Sequence, residues 1–218
     1  MSNLELIIGN KNYSSWSLRP WMMMRMAGLK FTEVFARFET PEFKRIVQRH
    51  SKAGRVPILI HGKITVWESL AIMEYLAEAY PKRMFWPKNK VARAMARAVS
   101  NEMHAGFTAL RTACPMNLRR SRKPVHFSVD TLANIARIEQ IWKDCRAAHG
   151  KGGPFLFGGF TIADAMFAPV VTRFDTFDIK VSANSRAYMD AIMGTPAFEE
   201  WKEAALMEPW IVPYDEVD

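Results

Sequence analysis

The sequence predicts an α/β domain followed by an all-helical domain. Over residues 1–80, short apolar strand patterns alternate with helical patterns in the order β-α-β-α-β-β-α. That order predicts a mixed sheet with helices on both faces. Residues 81–89 contain two prolines and predict a linker, after which strand patterns nearly vanish and apolar residues follow helical spacing. We therefore expect domains at residues 1–80 and 90–218, joined by residues 81–89.

The first helix is placed by its proline. Pro20 has no N–H to donate, so it is best tolerated in the first turn of a helix. This predicts a helix over about residues 17–27, with Ser17 as its N-cap. On this interpretation the hydroxyls of Ser14 and Ser15 lie outside the helix, where they are free to face a ligand.

The other elements follow from apolar spacing, which is two residues in strands and three to four in helices. In the first domain we expect strands at residues 4–8 and 31–37, a helix at 41–48, hairpin strands at 56–60 and 64–66, and a helix at 69–80. In the second domain we expect helices at about residues 91–112, 128–148, 162–177, 185–193 and 196–205.

One helix start in the second domain has a clear signature. Thr161 is followed three residues later by Asp164, which forms a capping box in which aspartate takes the place usually given to glutamate. We expect this cap to be buried, structural and costly to lose.

Composition limits the function classes. The chain is 49% hydrophobic and 24% charged, without an apolar run long enough to cross a bilayer and without a leader pattern, so a soluble protein is expected. The two cysteines, Cys114 and Cys145, are too few for a disulfide framework or a zinc cluster, which favours a reducing, cytoplasmic location and no metal.

The charge balance permits a nucleic-acid partner but does not favour one. The net charge is +8, yet the one dense basic run, residues 119–123, lacks interleaved aromatic residues. We interpret this run as a solvated basic loop and expect no nucleic-acid partner.

Three short patches carry the chemistry. The first is Tyr13-Ser14-Ser15-Trp16, the second is Val56-Pro57, and the third is Glu68-Ser69 at a predicted helix start. Hydroxyl groups beside a helix N-terminus stabilise an anion such as a thiolate. At a helix start, a carboxylate can bind the ammonium group of an amino acid, and a hydroxyl with the free backbone amides can bind its carboxylate. Each patch also has a structural explanation as a loop bond, a turn or a cap.

The patches resemble those of the cytosolic glutathione transferases. The segment Ser14-Ser15-Trp16-Ser17-Leu18-Arg19 resembles the Ser-Ser-Cys-Ser-x-Arg signature of the zeta class, with Trp16 in place of the cysteine. Val56-Pro57 is similar to the family's cis-proline turn, and the Thr161 cap to its second-domain helix cap. The resemblance implies a thioredoxin-like first domain, an all-helical second domain, glutathione as cofactor, a homodimer and a role in detoxification.

The resemblance also assigns roles to residues. It implies thiol activation by Ser14, with Ser15 as the alternative, and glutathione binding by a second group of residues: Arg55, Val56, Pro57, Glu68 and Ser69. A thiol with a pKa of about 8.5 to 9 is only about one to three per cent ionised at pH 7. A hydroxyl that stabilises the thiolate therefore raises the reactive fraction.

The second substrate, a small electrophile, is expected between the domains. Its predicted pocket residues are Trp16, Met103, His104, Phe107 and Arg111, the last four spaced along one face of the helix at 91–112. Ordinary helix packing is the alternative for Met103 and Phe107, and a structural role is the alternative for His104. A guanidinium at Arg111 suits a substrate carboxylate.

Three functions remain open from the sequence. The first is a glutathione transferase, an enzyme in which a serine hydroxyl stabilises the thiolate for attack on the electrophile. The second is an isomerase of maleylacetoacetate-like diacids with Arg19 and Arg111 as carboxylate partners, against which the bulk of Trp16 argues. The third is a non-enzymatic protein of the same fold that binds ligands or partners.

Overall fold

A computed structural model describes residues 4–217 and confirms the predicted fold class. The strands are β1 (Leu4–Ile8), β2 (Thr32–Phe35), β3 (Ile58–His61) and β4 (Ile64–Trp67). The helices beside the sheet are α1 (Ser15–Met26), α2 (Pro41–His50) and α3 (Ser69–Ala79). The helices after residue 89 are α4 (Lys90–Ala105), α5 (Thr108–Ala113), α6 (Val129–His149), α7 (Ile162–Thr176), α8 (Ala183–Met193) and α9 (Pro196–Leu206), and a 3₁₀ turn follows at Pro213–Asp215.

The sheet has the order β2-β1-β3-β4 and is mixed. Strand β1 pairs in parallel with β2 and antiparallel with β3, and β3 pairs antiparallel with β4. Side chains alternate across β1: Ile7 joins Val47 of α2 in one apolar cluster, whereas Leu6 and Ile8 join the main core on the opposite face. The sheet is therefore covered on both faces, as predicted, in the thioredoxin-like arrangement.

Helix α1 begins earlier than the proline suggested. Ser15 is its first residue and Ser14 is its N-cap, since the Ser14 Oγ accepts a hydrogen bond from the Ser17 N–H at 3.4 Å. The expectations that Ser17 caps the helix and that both serines lie outside it were wrong. Pro20 lies inside the helix. It removes one backbone hydrogen bond there, a loss that the surrounding buried packing offsets.

The predicted helix at 91–112 is in fact two helices. The chain leaves α4 at Gly106, where a Cβ would lie 2.8 Å from the Glu102 carbonyl oxygen. Phe107 then adopts a left-handed conformation with a φ of 60°, and α5 starts at Thr108. Because the helix is interrupted, residues before and after the break do not lie on one continuous helix face.

Helix α7 is the centre of the molecule. All of its residues except Asp175 are buried, and it packs against both α1 and α4. The predicted cap is present and buried: Asp164 Oδ2 accepts from the Thr161 N–H at 2.8 Å and from its hydroxyl at 3.0 Å, and Oδ1 accepts from the Leu156 N–H at 3.0 Å. Burial raises the pKa of Asp164 to about 6 against the opposing effect of these bonds.

The C-terminal segment returns to the first domain. The Glu208 carboxylate accepts from the backbone N–H groups of Lys11 at 2.7 Å and Asn12 at 3.3 Å. Arg119 donates to the Glu208 carbonyl, to the Tyr13 hydroxyl at 2.8 Å and to the Trp210 carbonyl at 2.5 Å. The interpretation of residues 119–123 as a solvated loop was therefore wrong for Arg119, which anchors the C-terminal segment.

Replacing Asp164 with alanine should lower the free energy of unfolding by about 2 to 4 kcal/mol, because three buried donors lose their acceptor. Urea denaturation measures the change. The control is Asp144→Ala, which removes a surface carboxylate bonded only to Gln140 and should change stability by less than about 0.5 kcal/mol. Equal effects of the two substitutions would contradict a stabilising cap.

Candidate functional site

Two adjoining cavities lie between the sheet and the helices of the second domain. The larger has a volume of about 560 Å³ and is bordered by Ser14 and Ser15. The smaller has a volume of about 340 Å³ and is bordered by Glu68 and His104. Four residues line both cavities: Trp16, Arg55, Val56 and Arg111. These shared residues make the two cavities parts of one cleft.

The two serines differ in their hydrogen bonds. The Ser14 hydroxyl donates to the Ser17 Oγ at 2.7 Å, and that oxygen also accepts from the Gly9 N–H at 3.2 Å. Ser15 is the first residue of α1, and its hydroxyl has no hydrogen bond to any residue between 4 and 217. Ser15 therefore offers the freer hydroxyl to the larger cavity, although Ser14 was preferred from the sequence.

The second patch and Glu68 of the third patch line the smaller cavity, whereas Ser69 lies behind Glu68 and lines neither cavity. Arg55 also lines the smaller cavity, and the peptide bond between Val56 and Pro57 is cis, as the resemblance implied. None of the backbone hydrogen bonds among residues 4–217 outside helices and strands involves Val56. Its N–H and C=O groups are thus available to an extended ligand.

Helix α3 begins with a buried, unpaired hydroxyl. Ser69 is the first residue of the helix and is fully buried, and its Oγ has no hydrogen-bond partner among residues 4–217. Glu68 precedes it with a φ of 70°, a left-handed conformation that costs a non-glycine residue on the order of 1 to 3 kcal/mol. An orphaned hydroxyl beside a strained residue at a helix N-terminus is an arrangement that a bound carboxylate would satisfy.

Trp16 is surrounded by positive charge. The guanidinium carbons of Arg19 and Arg111 lie 4.3 and 4.5 Å from the centre of its ring, and the His104 ring meets it edge-on at 5.1 Å. Arg19 is 1% exposed, and its Nε and Nη1 have no hydrogen-bond partner among residues 4–217. Burial lowers the pKa of Arg19 well below its usual value, and repulsion from Arg111 and Arg173 adds to this.

The predicted second-substrate residues divide into two pairs. His104 and Arg111 line the cleft, and the His104 Nε2 lies 3.9 Å from the Glu68 Oε2. Met103 and Phe107 are 0% and 8% exposed, belong to the main core and line neither cavity. Their expected place in the pocket was wrong. Met103 lies on the buried face of α4, and Phe107, in the break between α4 and α5, packs into the main core.

Several cavity residues were missed in the sequence. Arg173 of α7 borders the larger cavity, and its Nε and Nη1 donate to the Cys114 carbonyl at 2.7 Å and the Pro169 carbonyl at 3.2 Å. Burial lowers the pKa of Arg173 to about 10. An arginine within an otherwise apolar helix was a usable signal. Tyr214 and Asp215 also line this cavity, and only the returning C-terminal segment brings them there.

Within residues 4–217, no group of three or more histidine, cysteine, aspartate or glutamate side chains is arranged to hold a metal ion. Across the same residues, no helix combines the length and apolar character needed to cross a bilayer.

Comparisons with known proteins agree with this geometry. Residues 13–79 match the family model described as "Glutathione S-transferase, N-terminal domain", and residues 96–204 match "Glutathione S-transferase, C-terminal domain". The chain is 25% identical to a glutathione S-transferase of Triticum aestivum, covering 91% of this chain and 93% of that protein. It is 24% identical to a probable maleylacetoacetate isomerase of Caenorhabditis elegans, with 84% and 85% covered.

Solved structures share the fold. A glutathione transferase homologue from Burkholderia, crystallised with bound glutathione, superposes with a TM-score of 0.71 at 21% identity, covering 94% of this chain and 98% of that one. A tau-class glutathione S-transferase from mango, Mangifera indica, superposes with a TM-score of 0.70 at 16% identity, covering 94% and 96%.

His104 should titrate below its usual pKa of about 6.5, because burial and repulsion from Arg19 and Arg111 outweigh attraction to Glu68. The midpoint should rise in Arg111→Gln and fall further in Glu68→Gln. Nuclear magnetic resonance titration of the imidazole signals measures it. In the control Glu42→Gln, which changes an exposed carboxylate of α2, the midpoint should not move. An unchanged midpoint in both Arg111→Gln and Glu68→Gln would show that these charges do not act on His104.

Proposed function

The chain belongs to the glutathione S-transferase family and is a glutathione-dependent enzyme, and we propose that the Ser15 hydroxyl stabilises the glutathione thiolate for attack on an electrophile. The observation that carries the proposal is the state of the two candidate hydroxyls. The Ser14 hydroxyl donates a hydrogen bond to the Ser17 Oγ. The Ser15 hydroxyl has no hydrogen bond to any residue between 4 and 217, and Ser15 borders the larger cavity.

The required energy matches the groups available. Lowering a thiol pKa by about two units takes about 2.7 kcal/mol of preferential stabilisation of the thiolate. A charge-assisted hydrogen bond from Ser15 and the N-terminus of α1 together supply an amount of this order. The guanidinium groups of Arg19 and Arg111 beside Trp16 add a positive field, which also favours the thiolate over the thiol.

The smaller cavity suits the tripeptide. The buried Ser69 hydroxyl and the free amides that begin α3 would hold the γ-glutamyl carboxylate, and the Glu68 carboxylate would hold its ammonium. The unpaired Val56 backbone would bond the cysteinyl residue as a sheet edge does. Arg55 borders both cavities and supplies a cation for the glycyl carboxylate.

Isomerisation of a maleyl diacid is the second candidate. It is favoured by the likeness to the probable maleylacetoacetate isomerase of Caenorhabditis elegans and by the two guanidiniums beside Trp16. The indole of Trp16 stands against it, since it fills space between the cavities that the cysteine of the zeta-class signature would leave open. Two assays separate these reactions. Isomerisation would remove the absorbance of the cis diacid in the presence of glutathione, whereas conjugation would release chloride from an aryl chloride.

The proposal extends to assembly and location. We expect a two-fold homodimer in which the first domain of one subunit packs against the second domain of the other. We expect the enzyme in the cytoplasm, where its two buried cysteines stay reduced. Light scattering on the purified protein and fractionation of cells test these two statements.

Ser15→Ala should reduce thiolate formation and kcat/KM by about 10- to 100-fold at pH 7, because one charge-assisted hydrogen bond to sulfur is lost. Thiolate absorbance of bound glutathione and conjugation of 1-chloro-2,4-dinitrobenzene measure the two effects. The matched variant Ser14→Ala should keep turnover within a few-fold and lose about 1 kcal/mol of stability through its missing cap. The reverse order of activities would assign the thiol to Ser14.

Ser69→Ala should weaken glutathione binding by about 10-fold, because the γ-glutamyl carboxylate loses a donor. The free energy of unfolding of the ligand-free protein should not fall, since the hydroxyl has no partner before glutathione binds. Calorimetry and urea denaturation give the two quantities. A loss of stability without a loss of affinity would make Ser69 a structural residue.

A further inference from the structure

The larger cavity carries more positive than negative charge. Three arginines line it, Arg55, Arg111 and Arg173, together with a single acidic residue, Asp215. Among residues 4–217, Arg111 and Arg173 have no carboxylate within 4.0 Å, so neither is part of an ion pair. Asp215 attracts Arg173, but only from beyond that distance. A guanidinium removed from water without a paired carboxylate is unfavourable unless an anion is bound beside it.

Arg111 presents its whole donor edge. Its guanidinium lies against the Trp16 ring and makes no hydrogen bond to any residue between 4 and 217. Burial lowers the pKa of Arg111 but leaves the group protonated at neutral pH. Stacking on an indole limits the rotation of the side chain while its N–H groups stay free, which suits recognition of a planar anion by two parallel hydrogen bonds.

Arg173 presents one nitrogen in a defined direction. The side chain is 4% exposed, and two of its nitrogens are bonded to the carbonyls of Cys114 and Pro169. The remaining nitrogen, Nη2, has no partner among residues 4–217, and the residue borders the cavity. Because the two carbonyls hold the guanidinium in place, little side-chain entropy is lost when Nη2 binds a ligand.

The other walls are aromatic. Six residues with rings or flexible apolar side chains line the same cavity: Tyr13, Trp16, Phe38, Phe43, Met116 and Tyr214. Aromatic walls favour a flat apolar ligand, and the arginines favour an anionic group on it. Asp215 is the one lining group that opposes an anion, and the three arginines outnumber it.

We propose that the second substrate of this enzyme is an aromatic electrophile with one carboxylate, and that Arg111 and Arg173 bind the carboxylate. The substrate class rests on the proposed function, whereas binding of the carboxylate does not require turnover. With an aryl chloride the thiolate sulfur forms a C–S bond and the C–Cl bond breaks. Chloride leaves with the bonding electron pair, and the proton of the thiol goes to solvent.

Calorimetric titration of the full chain with 4-chloro-3-nitrobenzoate and with its methyl ester tests the proposal. The two probes share one ring and differ by one charge. The wild type should bind the acid at least about 10-fold more tightly than the ester, as expected for two charge-assisted hydrogen bonds. Arg111→Gln should lower this preference to about three-fold or less, because only Arg173 remains to bind the carboxylate, with ester binding unchanged within about two-fold. Equal binding of acid and ester by the wild type would overturn the proposal.

Two further variants separate local from general effects. Arg45→Gln removes one charge from an exposed arginine on α2 outside both cavities and should leave the preference intact. If Arg45→Gln and Arg111→Gln lost the preference for the acid equally, the preference would come from the overall positive charge of the protein, and the proposed carboxylate site would be overturned. Arg173→Lys keeps the charge but lacks the planar fork, so the acid should bind about three- to ten-fold more weakly. No weakening in this variant would remove Arg173 from the site.

Chloride release with glutathione separates this inference from the proposed function. Acid-selective binding without chloride release would support the carboxylate site and overturn the proposed transferase reaction. If the enzyme showed no preference for the acid after each kcat/KM was divided by the rate constant of the uncatalysed reaction of that probe with glutathione, the reaction would be supported and the assigned substrate class overturned.

Discussion

Burial of α7 is the constraint on which the rest of the structure depends. A helix enclosed over nearly all of its residues has no water to satisfy the donors at its start, so the protein has to supply acceptors there. Asp164 supplies them for Thr161 and Leu156. With its start satisfied, α7 serves as the surface on which α1 and α4 pack, and it carries Arg173 to the wall of the cleft. The capped helix thus supports both the proposed thiol site and the proposed electrophile site.

Polar groups in and behind the cleft have no partners among residues 4–217. Within that range Ser15, Ser69 and Arg19 each hold unpaired donors, and Arg111 lies on an indole instead of beside a carboxylate. Unpaired buried donors destabilise a protein, and positive charges near one another repel. In a cleft that binds a thiolate and carboxylates, as proposed above, the same groups would gain their partners when the ligands bind. Part of the folding stability is given up for preorganised anion binding.

Local signals made much of the fold predictable. The strands, the hairpin and the cap at Thr161 depend on spacing and on side chains close in sequence, and their predicted positions agree with the structure to within a few residues. Pro20 led to a wrong start for α1, because the preference of proline for the first turn was given more weight than the serine at position 14, which caps the helix. The break after Gly106 was also missed, since apolar spacing continues through it. The site residues on α7 and in the C-terminal segment reach the cleft only by tertiary packing, which one sequence does not reveal.

The returning C-terminal segment allows the choice of acceptor molecule to change without a change in the sulfur chemistry. It is fastened through Glu208 and Arg119, and beyond those anchors it contributes Tyr214 and Asp215 to the larger cavity. The two serines and the residues proposed to bind glutathione lie on other elements. Evolution can therefore retune which acceptor molecules enter by altering a short peripheral stretch of chain, while the sulfur chemistry and the core that supports it are inherited intact.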